Sequence, residues 1–168
     1  MRVTVGLGSN VGDRLQHLQA AVDLLAAVAV SPVFETDPVG GVEQQDYLNA
    51  VALVDLDDAA DPLAVAQAAE QARDRTREVR WGPRTLDVDV LAVQRGGVAV
   101  TADDPRLTVP HPRAHERAFV LVPWAALDPG GVIAGRGRVS DLLAGLPAEE
   151  VAGVRLRSDL VLHLPGTT

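Results

Sequence analysis

The sequence predicts an α+β fold, an antiparallel β-sheet flanked by helices, and three observations carry that expectation. The 168 residues, 47% of them hydrophobic, suit one ordinary domain with enough apolar side chain to bury a core. Short runs of alternating apolar residues are separated by two stretches in which apolar residues recur at helical spacing. Their order across roughly the first hundred residues is β-α-β-β-α-β. One globular unit over residues 1–168 is the expectation.

Each element has its own signal. "MRVTVGLGSN" alternates as a first strand and then enters what looks like a tight strand-to-helix turn at "GLGSN". That turn lacks the third glycine of a dinucleotide fingerprint and the lysine of a P-loop. Leu15, Leu18, Val22 and Leu25 share one helical face, with Asn10 or Asp13 available to cap, so residues 13–27 are expected to form an amphipathic helix. A strand fits residues 28–36, followed by the loop "DPVGGVEQQD" and a strand in "YLNAVALVDL". Asp61-Pro62 places a capping acid before a proline at the first helical position and opens an alanine-rich helix that runs to about Arg73. After an arginine-rich loop comes the strand "TLDVDVL", which Gly96-Gly97 turns into a hairpin with "VAVT". "VPHPRAHERAFVLVPWAALDP" is a loop leading to a short helix that ends before Asp128. The last forty residues say less: a short helix near 140–146 and a strand within "VRLRSDLVLHL". The order of elements is that of a ferredoxin-like sandwich.

Composition narrows the chemistry. All fifteen basic residues are arginine, which excludes a lysine Schiff base or a lysine general base. The absence of cysteine excludes disulfides, thiolate metal ligands and a thiol nucleophile, and fits a cytoplasmic setting. No apolar run is long enough for a membrane span and no secretion signal opens the chain, so no membrane association is expected. A net charge of -8 repels nucleic acid, and any anionic partner needs a local basic patch.

"RWGPRTLDVDVL", residues 80–91, supplies such a patch beside two acids. Side chains alternate along a strand, so Leu86, Val88 and Val90 point one way while Asp87 and Asp89 point the other, about 7 Å apart at ~3.3 Å rise per residue. Two carboxylates so placed repel each other unless water or a cation intervenes, and an oxygen-only pair suits magnesium. A half-exposed edge strand would also carry such a pair. Arg73, Arg75, Arg77, Arg80 and Arg84 crowd into the twelve residues before the acids are reached. Glu70, Asp74 and Glu78 account for some of them, but five guanidinium groups beside an acid pair suit a polyphosphate held between arginine forks and metal ions. Tyr47 and Asn49 fall on one strand face, a stacking surface and a bidentate hydrogen-bonder suited to a planar heterocycle. His111, His115 and Arg117 in "PHPRAHER" lack the glutamate that a zinc protease places between its histidines. Two rivals remain at this point: a D-x-D sugar transferase, and a non-catalytic module that binds a nucleotide.

Taken in order, "GLGSNVGDR", "TDPVGG", "QDYLNAV", "RWGPRTLDVDVL" and "LTVPHPRAHERAFVLVP" resemble the 6-hydroxymethyl-7,8-dihydropterin pyrophosphokinase family of folate biosynthesis over residues 5–128. The resemblance implies a ferredoxin-like fold and a diphosphotransferase that moves diphosphate from ATP to the pterin alcohol, leaving AMP. It implies two magnesium ions on Asp87 and Asp89, with Arg75 and Arg84 acting on the triphosphate. By motif, Gln67, Glu70, Arg77, Trp81, Val90, His111 and Arg117 fall where the family lines its ATP site. Thr36, Asp37, Val39, Tyr47, Asn49 and Phe119 match its pterin site, Tyr47 and Phe119 as the stacking pair. The implied partners are small molecules, ATP and pterin, bound by a monomer. Residues 37–46 and 74–84 are expected to order when ligand binds. Nothing functional carries over to the last forty residues.

Overall fold

The computed structural model describes residues 1–38, 45–73 and 85–167. β1 (Arg2–Ser9) leads to α1 (Arg14–Leu24), β2 (Ala29–Val30), β3 (Phe34–Thr36), β4 (Tyr47–Asp55) and α2 (Pro62–Arg73). Then follow β5 (Asp87–Arg95), β6 (Val98–Val100), β7 (Ala102–Asp103), β8 (Thr108–Val109), a 3-10 turn (Ala114–Glu116) and α3 (Ala118–Leu127). β9 (Val132–Ile133), β10 (Gly137–Arg138), α4 (Val139–Ala144), α5 (Ala148–Ala152) and β11 (Arg155–Leu156) close the chain. The main sheet runs β11-β3-β4-β1-β5-β6, with β2 also on β4, and its pairings are antiparallel. This is the α+β, antiparallel arrangement expected from the order of elements.

The local chemistry explains both agreement and departure. Asp13 caps α1, its carboxylate accepting the N–H of Gln16 at 3.0 Å. The expected extension to residue 27 fails because Ala26 turns left-handed, φ +48°. Ala27 N–H then returns to Val22 O and Ala26 N–H to Asp23 O, the paired bonds of a Schellman ending built on alanine instead of glycine. The single strand expected over 28–36 is split into β2 and β3. Pro32 has no N–H to give, and Ser31 replaces the ladder locally: its N–H donates to Val51 O (2.8 Å) and its Oγ accepts Val51 N–H (2.9 Å). α2 opens as expected, with Asp61 accepting the N–H of Leu63 at 3.0 Å. Gly96 and Gly97, both at positive φ, form the two-residue turn between β5 and β6.

The sheet has a different core on each face. Val3, Val5, Leu7, Leu48, Ala50, Ala52, Val88, Val90 and Val93 pack with Leu18 and Val22 of α1 and Ala66 and Ala69 of α2. On the other face Val51 and Leu91 pack against Val120, Leu121 and Trp124 of α3 and Val139 of α4. Between Thr4 and Val5 the β1–β5 register shifts, leaving Leu91 as an extra residue on β5. This bulge lets Leu91 join the α3 core and Val93 the α1–α2 core, although they are two apart. α3 covers only part of its face. The uncovered part lies beside its N-terminus.

Candidate active site

β1 lies between β4 and β5, and its register sets the floor of this uncovered area. Gly8 pairs with Asn49 on one side and Asp87 on the other, and Gly6 pairs with Val51 and Asp89. Directly paired residues share a face, so Asn49, Asp87 and Asp89 rise from the same side around two positions without side chains. Tyr47 is on that face two residues from Asn49, and Thr36 pairs with Tyr47 from β3. "GLGSN" is therefore not the tight turn expected from sequence: Gly6 and Gly8 are interior strand residues, and the chain turns after Ser9. Ser9 Oγ donates to Thr85 O at 2.6 Å and joins this end of β1 to the entry of β5.

The resulting cleft, about 510 Å³, is lined by Gly6, Gly8, Thr36, Asp37, Tyr47, Asn49, Asp87, Asp89, Arg117 and Phe119, together with Pro38, Arg113 and Val120. Asn49 is buried, and its Nδ2 donates to Thr36 Oγ1 at 2.9 Å, which fixes the amide orientation and leaves its carbonyl oxygen toward Gly8. Phe119 is 36% exposed, an uncommon state for phenylalanine, and the guanidinium of Arg117 stands 5.5 Å from its ring centroid. α3 begins here, so its positive dipole end adds to Arg113 and Arg117 opposite the aspartates. One wall is thus acidic, another aromatic, and the rim is cationic.

Other expected site residues stand outside this lining. Val90 is buried in the α1–α2 core. Gln67 is exposed on α2, and Glu70 Oε1 accepts the N–H of Val88 at 2.8 Å, so α2 reaches β5 between the two aspartates from behind. His111 lines a second hollow of about 510 Å³ with Thr108 and Arg136. Burial pushes its pKa below the ordinary histidine value; Asp89 opposes that shift, and Arg117 and Arg113 add to it. Its Nδ1 accepts the N–H of Arg113 at 3.1 Å, so the neutral ring carries its proton on Nε2. Val39, Arg75, Arg77, Trp81 and Arg84 lie outside the described residues, as do residues 74–84 and most of 37–46.

Sequence reasoning passed over Gly6, Gly8 and Arg113. Alternate glycines inside a β-prone run were the signal for the first two. Arg113 had none beyond its nearness to His111. As a metal site, the described residues provide no group of three or more His, Asp or Glu. Two carboxylates opposite glycine backbone suit a hard cation that takes its remaining oxygens from water and phosphate, as magnesium does.

The comparisons agree with one another. The family model described as 7,8-dihydro-6-hydroxymethylpterin-pyrophosphokinase (HPPK) matches residues 4–129. The 2-amino-4-hydroxy-6-hydroxymethyldihydropteridine pyrophosphokinase of Mycobacterium leprae is 49% identical, over 97% of this chain and 92% of its own. The protein of the same name from Pseudomonas aeruginosa is 40% identical over 89% and 94% respectively. Among solved structures, Plasmodium falciparum HPPK-DHPS superposes with a TM-score of 0.61 at 12% identity, a likeness of fold. It covers 85% of this chain, which spans only 44% of that longer one.

Proposed function

The chain belongs to the 7,8-dihydro-6-hydroxymethylpterin-pyrophosphokinase family, and from that premise we propose how its cleft carries out the reaction. The enzyme transfers diphosphate from ATP to 6-hydroxymethyl-7,8-dihydropterin in folate biosynthesis, releasing AMP. The hydroxymethyl oxygen forms a bond to the β-phosphorus, the bond from that phosphorus to the α–β bridging oxygen breaks, and the hydroxyl proton is released. The observation that carries the site assignment is the shared face of Asp87, Asp89, Asn49 and Tyr47 around Gly6 and Gly8.

Tyr47 and Phe119 stack on the pterin ring, and Asn49 with the backbone of residues 36–39 reads its edge. Asp87 and Asp89 would hold the two magnesium ions expected here. Such ions would neutralise phosphate charge and make the hydroxymethyl oxygen a better nucleophile. Arg117 and Arg113 add cationic charge at the rim, where transfer redistributes negative charge. Arg75 and Arg84 act on the triphosphate, and Gln67, Glu70, Arg77, Trp81 and His111 serve the ATP site, to which Val90, its side chain buried in the α1–α2 core, contributes backbone alone. The chain works as a single monomeric unit in the cytoplasm. Among the described residues no helix is long and apolar enough to cross a membrane.

Incubation with ATP, magnesium and 6-hydroxymethyl-7,8-dihydropterin, followed by separation of the nucleotides, tests the reaction. AMP appearing in step with pterin diphosphate is the expected result. ADP would show transfer of a single phosphoryl group, and no nucleotide product would leave a binding module.

A further inference from the structure

Three arginines converge on the connection between β3 and β4, two of them from the C-terminal segment. Arg155 Nη2 donates to Asp37 Oδ1 at 2.9 Å and to Asp46 Oδ2 at 3.2 Å. One guanidinium nitrogen therefore joins the residue just after β3 to the residue just before β4. Arg157 Nη1 donates to Glu35 Oε2 at 2.9 Å while its Nε and Nη2 grip Asp159 at 2.9 and 2.8 Å. Arg14 of α1 reaches the same Glu35 oxygen at 2.9 Å and also the carbonyl of Asp46. The β11–β3 pairing, Arg155 to Glu35 and Leu156 to Phe34, keeps these arginines in place.

The tie sits at the wall of the cleft. Thr36, Asp37 and Pro38 line it on one side of the connection and Tyr47 on the other. Pairing of β3 with β4 already sets Thr36 against Tyr47, so the bridge between Asp37 and Asp46 bears on what lies just beyond that pair, the backbone at 37–38 beside the Tyr47 ring. We propose that Arg155 is a positioning residue for the pterin: by bridging Asp37 and Asp46, just beyond the last paired residues of β3 and β4, it holds the backbone of Asp37 and Pro38 where it faces the ring beside Tyr47. This rests on the assignment of the cleft to the pterin. Asp37 and Asp46 are 118 and 109 residues from Arg155, so the segment with the weakest sequence signal takes part in substrate recognition.

Arg155 is 42% exposed, and exposed ion pairs add little to global stability, so its removal acts on geometry rather than on folding. Steady-state kinetics of Arg155→Ala and Arg155→Lys, with pterin and ATP varied separately, give the test. In Arg155→Ala the pterin KM is expected to rise roughly fivefold, the scale of an exposed pair, with kcat and the ATP KM within about twofold of wild type. Arg155→Lys, which keeps one cationic nitrogen for both carboxylates, should restore most of the loss. Salt at about 0.5 M should raise the wild-type pterin KM and leave that of Arg155→Ala nearly unchanged, because screening removes only a tie that exists. An unchanged pterin KM in Arg155→Ala, or an equal rise for ATP, overturns the positioning role. Tyr47→Ala in parallel separates the two ideas. Weaker pterin binding there with an unaffected Arg155→Ala defeats this proposal alone; unaltered pterin binding in Tyr47→Ala defeats the assignment of the cleft, and this proposal with it.

Discussion

At Gly8 an added Cβ would lie 3.6 Å from Asn49 Oδ1 and 3.9 Å from Tyr47 Cδ1, ordinary contacts that the strand accepts. Replacing an interior strand glycine by alanine removes an entropic cost of about 0.5–1 kcal/mol, so Gly8→Ala should melt about 1–4 °C higher. The new methyl group would occupy the floor between the acidic and aromatic walls. Calorimetric titration should therefore show a pterin affinity reduced about tenfold or more, and an unchanged affinity would remove Gly8 from the floor. Asp87→Asn and Asp89→Asn keep shape but each remove a ligand charge. AMP formation should fall roughly 10²-fold or more while the fold persists, and the Asp89→Asn apoprotein should melt no lower because one of two neighbouring like charges is gone. Full activity in either variant would end the metal assignment. Strand alternation alone showed the aspartates and the Tyr47–Asn49 pair on their faces. It failed for Gly6 and Gly8 because glycine before Ser-Asn suggests a turn so strongly that a two-residue glycine alternation passes unnoticed.

α3 carries Phe119 at one end and Trp124, 2% exposed, further along its buried side. A Cβ on Gly131 would fall 2.7 Å from Trp124 Nε1 and 3.1 Å from the backbone oxygen of Asp128, closer than the packing allows. Gly131→Ala must displace the ring or the turn, at about 1–3 kcal/mol, and melting should drop by several degrees. Gly130→Ala meets only Asp128 Oδ1 at 3.6 Å and is the control; equal melting of the two variants would contradict the account. Among elements, those long enough to show a period were legible in the sequence: β1, β4, β5, α1 and α2. The overrun of α1 came from Ala26, which turns left-handed without a glycine to announce it. Pro32 did announce the break between β2 and β3, but apolar residues on either side hid it. β7, β8, β9, β10 and β11 have two residues each and no period to read; pairing partners elsewhere in the chain create them.

For the molecule as a whole, the sheet is covered on one face by α1 and α2 and only partly on the other by α3 and α4. With the cleft assigned as proposed, ligand would fill what the helices leave open, so binding should add directly to stability. At about 100 times its Kd a ligand contributes about 2.7 kcal/mol, and at roughly 2–4 °C per kcal/mol the melting point should rise about 5–10 °C. Thermal melts with magnesium, a non-hydrolysable ATP analogue and the pterin check this, and Asp89→Asn should lose the magnesium-dependent part of the shift. A rise of the same size without magnesium would show that the acid pair binds no metal in the complex. The bulge at Leu91 has a consequence of another kind. It changes the phase of β5 partway along, so that the half with the acid pair and the half with Val93 follow separate odd-even rules. Were Leu91 itself deleted, the two halves would join in one unbroken alternation, with Asp89, Val90, Ala92 and Val93 each still on its present side and only a side chain of the α3 core lost.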